Sequence, residues 1–173
     1  MNNFLKLCKE YIPYIAVIII IILIKAYVIT PVIVSGPSML STLHDGDIML
    51  LNKLYKEKDI ERFDIVVVKY EKKNIIKRVI GLPGDTIECI DNKLYVNGKV
   101  IVEKYLDDKT VTDDFNLKDS FGIDKVPEGH YFVMGDNREV SLDSRKIGPV
   151  KASDIDGEAF FTLFPFNRFG SSN

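Results

Sequence analysis

Residues 65–80 read IVVVKYEKKNIIKRVI, two runs rich in Val and Ile (Ile65–Tyr70 and 75–80) separated by the polar Glu71, Lys72, Lys73 and Asn74. β-Branched side chains fit a pleated surface, and runs this short without a 3.6-residue recurrence read as strands. Outward from them the pattern recurs at Ile48–Asn52, 86–90, 94–96, 100–102, 131–134 and 157–162. Asn97-Gly98, two residues that tolerate positive φ, stands between 94–96 and 100–102 and predicts a hairpin. Beyond residue 34 no long run has helical periodicity. The expected fold is therefore mainly β, a partly closed antiparallel sheet system in one domain. Residues 103–128 are charged and aperiodic, and are expected to form a solvated loop within that domain.

The other decisive stretch is residues 12–24, IPYIAVIIIIILI, continued after Lys25 by Ala26, Tyr27, Val28 and Ile29. From Tyr11 to Ile29 it has about the length a helix needs to cross a hydrocarbon core of roughly 30 Å. In lipid a lone segment satisfies its backbone only as a helix. The sequence after the run offers no small-X-small pair for cleavage of a secretory signal, so the span is expected to stay. Lys6 and Lys9 place the amino terminus in the cytoplasm, and Lys25 can snorkel to the outer interface. The expected order is a cytoplasmic stretch (1–10), a single transmembrane helix (11–29) and an extracytoplasmic β domain (30–173) at the cell membrane.

Composition removes several functions. The chain has 173 residues with 23 Lys+Arg against 25 Asp+Glu, a net charge of −2 that gives no basic surface for nucleic acid. Two cysteines and two histidines, at distant positions, match no metal-ligand spacing and no disulfide framework. No metal and no cofactor are expected. Cys8 and Cys89 lie on opposite sides of the expected span, so the two thiols do not meet.

Three segments carry the chemistry. The first is Gly36-Pro37-Ser38-Met39-Leu40-Ser41-Thr42-Leu43, directly after Val32, Ile33 and Val34. The second is Lys77-Arg78-Val79-Ile80-Gly81-Leu82-Pro83-Gly84-Asp85, where a strand ends in a Gly/Pro turn. Alternation puts Lys77 on the face of Ile75 and Val79 and Arg78 on the face of Ile76 and Ile80, so one of the two cations is expected to be buried. The third, from Gly135 to Arg145, reads GDNREVSLDSR. Singly, each is an ordinary turn, an edge-strand lysine or a solvated ion network.

Together, in this order and behind an amino-terminal span, they resemble the signature boxes of the bacterial type I signal peptidases. These are membrane-bound serine proteases that remove signal peptides from exported proteins. The resemblance runs from about Lys25 to Phe164, in the short form of Gram-positive members, with the loop over 103–125 falling where the family varies most. It implies signal peptides of secreted preproteins as substrates, with membrane lipid and the secretion machinery nearby.

A serine hydroxyl is a poor nucleophile at neutral pH without an adjacent base. Neither His44 nor His130 falls in a box. A lysine serves if burial lowers its pKa from about 10.4 toward neutrality, and Lys77 between Ile75 and Val79 fits that need. Ser38 is thus the expected nucleophile and Lys77 the general base, with the Ser38 N–H as an oxyanion donor. By resemblance, Ser141 orients the Lys77 amine, while Asp136, Asp143, Arg145 and Arg78 form ion pairs that hold the surrounding loop. The serine donor that some family members carry two places before the nucleophile is Gly36 here, with Ser35 one residue out of register, and Gly36 allows close backbone approach. Ser41 stands where many members have proline, and Cys89, in a usually aliphatic place, is expected to be a free buried thiol. Val34, Met39, Leu43, Ile75 and Ile76 are the expected walls of shallow pockets for small substrate residues, with the substrate added as a strand. The competing readings are another Ser/Lys hydrolase, such as the self-cleaving repressor type, and a membrane-tethered β-rich binding or scaffold module, which would be indifferent to Ser38→Ala.

Overall fold

The computed structural model describes the backbone of residues 2–172 and the side chains of residues 10–25 and 27–172. The chain opens with helix α1 (Asn2–Tyr27). From residue 11 to residue 24 its side chains are all exposed. Among the described residues no helix is long and apolar enough to cross a membrane. The helix also stops short of the expected boundary at Ile29, because Pro31 has no N–H to continue it and residues before proline favour extended backbone. The Thr30 hydroxyl donates to the Lys25 carbonyl at 2.7 Å and satisfies one terminal acceptor. Ile29 instead opens strand β1 (Ile29–Ile33), a strand the sequence reading missed.

The remaining elements are β2 (Ile48–Asn52), β3 (Ile65–Tyr70), β4 (Lys73–Gly81), β5 (Ile87–Ile90), β6 (Lys93–Val96), β7 (Lys99–Val100) and β8 (Phe115–Asn116). They are followed by α2 (Leu117–Phe121), β9 (His130–Met134), α3 (Ser144–Ile147), β10 (Val150–Lys151), β11 (Ile155–Phe164) and β12 (Gly170–Ser171). The fold is mainly β and antiparallel, as expected, with the described strands in two sheets. The larger has the order β1-β2-β11-β3-β4-β9-β10, with β12 beside β11, and the smaller has the order β7-β6-β5-β8. The Asn97-Gly98 hairpin forms as expected, with φ of 54° and 73°, although β7 ends at Val100.

The run Ile65–Val68 lacks polar alternation because β3 is covered on both faces. Ile65 and Val67 pack with Val34, Met39, Leu43, Met49 and Leu51, while Val66 and Val68 pack with Ile60, Val79, Tyr131 and Val133. A third cluster, with Ile80, Leu94, Phe132 and Met134, joins the sheets. Residues 103–128 are not simply solvated: Thr112, Leu117 and Val126 are buried, and Tyr105, Phe115 and Phe121 pack on the third cluster. These anchors come singly and without a period, which hid them from pattern reading.

Candidate active site

β4 runs between β3 and β9, but its pairing with β9 begins only at Arg78, whereas β3 pairs it from Lys73 onward. Residues 73–77 therefore keep one unpaired edge. β1, last in its sheet, keeps another. Between these edges lies a cavity of about 290 Å³, lined by Val32, Ile33, Val34, Ser35, Ser38 and Met39 on one side and Asn74, Ile75, Ile76 and Lys77 on the other, with Val67. Val34, Met39, Ile75 and Ile76 thus line it. Leu43 does not: it is buried in the first core cluster, because the turn after Met39 points it inward, and its main chain closes that turn on the Met39 carbonyl at 2.8 Å.

Ser38 and Lys77 meet in this cavity. Lys77 Nζ donates to Ser38 Oγ at 2.7 Å and to the Ile76 carbonyl at 2.8 Å. The residue is 2 % exposed, and burial lowers its pKa from 10.5 to about 8, against the opposing pull of Asp143 and Asp136. A lysine so lowered reaches its neutral form at a pH more than two units below that of an exposed lysine. Gly36, at φ +88°, turns the chain ahead of Ser38, and its N–H is held by Asp45 at 2.7 Å. Ser35 lines the same cavity one residue earlier.

Both cations of the second box are buried, not one, because the second half of β4 is covered on both faces. Arg78 makes a two-pronged pair with Asp136, with Nε and Nη2 at 3.0 and 2.7 Å, and donates from Nη1 to the Phe63 carbonyl. Asp136 also accepts the Thr42 hydroxyl at 2.6 Å, which ties the first box to the second and third. Asp143 pairs with Arg145, accepts the Gly135 N–H at 2.9 Å and caps α3. Burial alone would raise its carboxyl, but Arg145 and the Gly135 N–H hold it below the ordinary range.

Ser141 departs from its expected place. It is fully buried, yet its hydroxyl makes no hydrogen bond to Lys77, nor to any other group. It stands near enough to Asp143 to favour the carboxylate, with geometry too poor for a hydrogen bond. Gly135 sets this arrangement, since a Cβ there would collide with Ser141 Oγ and with the Ser38 carbonyl oxygen. Asn137 completes the contact: its N–H donates to the Ser38 carbonyl at 3.0 Å and its side chain to that of Pro37. Sequence reasoning assigned nothing to Thr42, Gly135, Asn137 or Arg138, though all stand inside the boxes. Cys89 is the expected buried free thiol, donating weakly to the Thr112 carbonyl, and burial pushes it up to about 11. Among the described residues no group of His, Cys, Asp and Glu is arranged to hold a metal ion.

A family model described as "Signal peptidase, peptidase S26" matches residues 8–164. The chain belongs to this family of bacterial type I signal peptidases. Its relatives include the signal peptidase I V of Bacillus subtilis strain 168, 46% identical over 149 residues and covering 81% of this chain and 89% of that protein. The signal peptidase I of Streptococcus pneumoniae is 38% identical, covering 99% of this chain and all of that protein. Among solved structures, a crystal structure of a signal peptidase I from Enterococcus faecalis aligns with a TM-score of 0.53 at 39% identity, covering 57% of this chain and 95% of that one.

Proposed function

We propose that this protein is a membrane-anchored serine endopeptidase that removes amino-terminal signal peptides from exported preproteins with a Ser38/Lys77 dyad. The observation that carries the reading is the 2.7 Å contact between Lys77 Nζ and Ser38 Oγ at the wall of a cavity bounded by two unpaired strand edges. When the amine is neutral the contact reverses and the hydroxyl donates to nitrogen. Ser38 Oγ then attacks the scissile carbonyl as Lys77 takes its proton, and the N–H of Ser38 stabilises the oxyanion. Collapse expels the new amino terminus, which receives that proton from Lys77. Water, deprotonated by the same amine, releases the signal peptide from Ser38.

An extended signal peptide would add between the free edges of β1 and β4, bonding by its main chain. Val34, Met39, Ile75 and Ile76 leave room for small side chains, in keeping with a preference for alanine near the cut. The apolar run of α1 supports the membrane anchor, with the amino terminus in the cytoplasm and the β domain outside, close to the substrate's own membrane-inserted stretch. Arg78, Asp136, Asp143 and Arg145 would hold the loops around the dyad.

The test is incubation of the detergent-purified protein with a preprotein carrying an Ala-X-Ala site, beside folded Ser38→Ala and Lys77→Ala variants. Cleavage after the last alanine by the parent alone is the expected result. Cleavage by the Ser38→Ala variant overturns the dyad, and an inert parent alongside a peptidase that cuts the same substrate overturns the activity.

A further inference from the structure

The first residues of the loop over 103–125 do something its sequence does not announce. Glu103 reaches the third box, where its carboxylate accepts from both Nη atoms of Arg138 at 2.5 and 3.3 Å. The Arg138 side chain is fully buried, so Glu103 supplies its counter-charge. The same guanidinium donates from Nε to the Gly135 carbonyl at 3.0 Å and from Nη1 to the Thr112 hydroxyl at 2.9 Å. Gly135 is the residue packed against both Ser141 Oγ and the Ser38 carbonyl.

Tyr105 makes the second half of the strap. Its hydroxyl donates to Glu103 at 2.6 Å, and its ring lies 4.0 Å from the Arg78 guanidinium carbon. Its carbonyl accepts the Ser41 hydroxyl at 3.0 Å. Two residues of one loop therefore touch all three boxes: Ser41 beside the first serine turn, Arg78 next to Lys77, and Arg138 in the loop that carries Ser141.

We propose that Glu103 and Tyr105 are positioning residues for peptide-bond cleavage, Glu103 acting through Arg138 on the Gly135 backbone and Tyr105 through the hydroxyl that holds the Glu103 carboxylate and Arg138 in place. The proposal rests on the Ser38/Lys77 reading and extends it to a loop outside the boxes. Neither residue lines the cavity between β1 and β4, so substrate binding there is independent of them. Their loss therefore reaches the chemical step and leaves affinity alone.

The experiment measures kcat and KM of the full chain in detergent on the Ala-X-Ala preprotein, for the parent, Glu103→Gln, Tyr105→Phe and Ser38→Ala. Rates are corrected for the folded fraction read from thermal melts. Glu103→Gln is expected to lower kcat about tenfold or more. Tyr105→Phe, which keeps the ring and removes the hydroxyl's hydrogen bonds to Glu103 and from Arg138, is expected to lower it about threefold. KM stays within about twofold of the parent for both. A corrected kcat at the parent level, or a loss carried by KM, overturns the proposal. If Glu103→Gln does not fold, Tyr105→Phe decides by the same criterion. The Ser38→Ala arm separates the two readings: an inert Ser38→Ala beside unimpaired strap variants overturns the strap alone, whereas an active Ser38→Ala overturns the dyad beneath it.

Discussion

Replacing Lys77 by methionine tests the burial that makes the amine usable. Methionine has a similar length and fills the same path beside β4 with no charge to desolvate. The folded pKa of Lys77 lies at about 8 against an ordinary 10.5, and each pKa unit is worth about 1.4 kcal/mol, so the charged amine costs the parent about 3 kcal/mol at neutral pH. The variant also loses hydrogen bonds to Ser38 Oγ and the Ile76 carbonyl, together worth about 1–2 kcal/mol. Lys77→Met is therefore expected to be inert yet more stable than the parent by about 1–2 kcal/mol at pH 7. The pH dependence has a definite sign. Between about 8 and 10.5 the unfolded parent binds more protons at this site than the folded one, so parent stability rises with pH across that window. The gap to the variant, full below pH 8, narrows on going to pH 9.5. Urea denaturation of both proteins in the same detergent at pH 7, 8.5 and 9.5 measures it, since titrations common to both cancel. A methionine variant no more stable than the parent at pH 7, or a gap that stays constant with pH, refutes the argument.

On a processing assay, the kcat/KM of the parent should climb tenfold per pH unit below about 8 and level off above it, as Lys77 loses its proton; a flat profile from pH 6 to 9 would exclude Lys77 as the base. Arg78→Ala leaves Asp136 charged in a fully buried place and should cost about 3–5 kcal/mol. Thermal denaturation checks it, and the double change Arg78→Met with Asp136→Leu should recover most of the loss. Gly135→Ala drives a methyl group into Ser141 Oγ and the Ser38 carbonyl, so cleavage should fall at least tenfold together with a loss of about 1–3 kcal/mol in stability. Leu43→Ala should lower stability by about 2–5 kcal/mol without altering which small residues are accepted before the cut, because Leu43 packs in the core away from the cavity. Competition between Ala and Ser sites measures that preference.

Much of the architecture was legible because period-2 patterning and turn chemistry are local. The strands at Ile48–Asn52 and Ile65–Tyr70 stand where their Val, Ile and Leu runs put them, and Asn97-Gly98 turns its hairpin by its own backbone preferences. The strands that escaped notice, β1, β8, β10 and β12, are short or interrupted by proline, and exist only because a partner edge is present. The division of the strands between two sheets was not legible for a related reason: alternation tells which side chains share a face, but not which strands pair.

For the site, sequence order brought out the three boxes, and the scarcity of histidine left lysine as the available base. Chemistry of that kind belongs to residue types and needs no coordinates. The distance between Ser38 and Lys77, the burial of Arg78 as well as Lys77, the unbonded Ser141 hydroxyl and the placement of Leu43 in the core were decided only by the tertiary structure. So were the links from Glu103 and Tyr105 to Arg138 and Arg78, more than thirty residues apart along the chain in the first case. Side-chain chemistry and backbone preference are written residue by residue, whereas desolvation and ion pairing depend on every chain segment that packs around the group, and those segments meet only on folding.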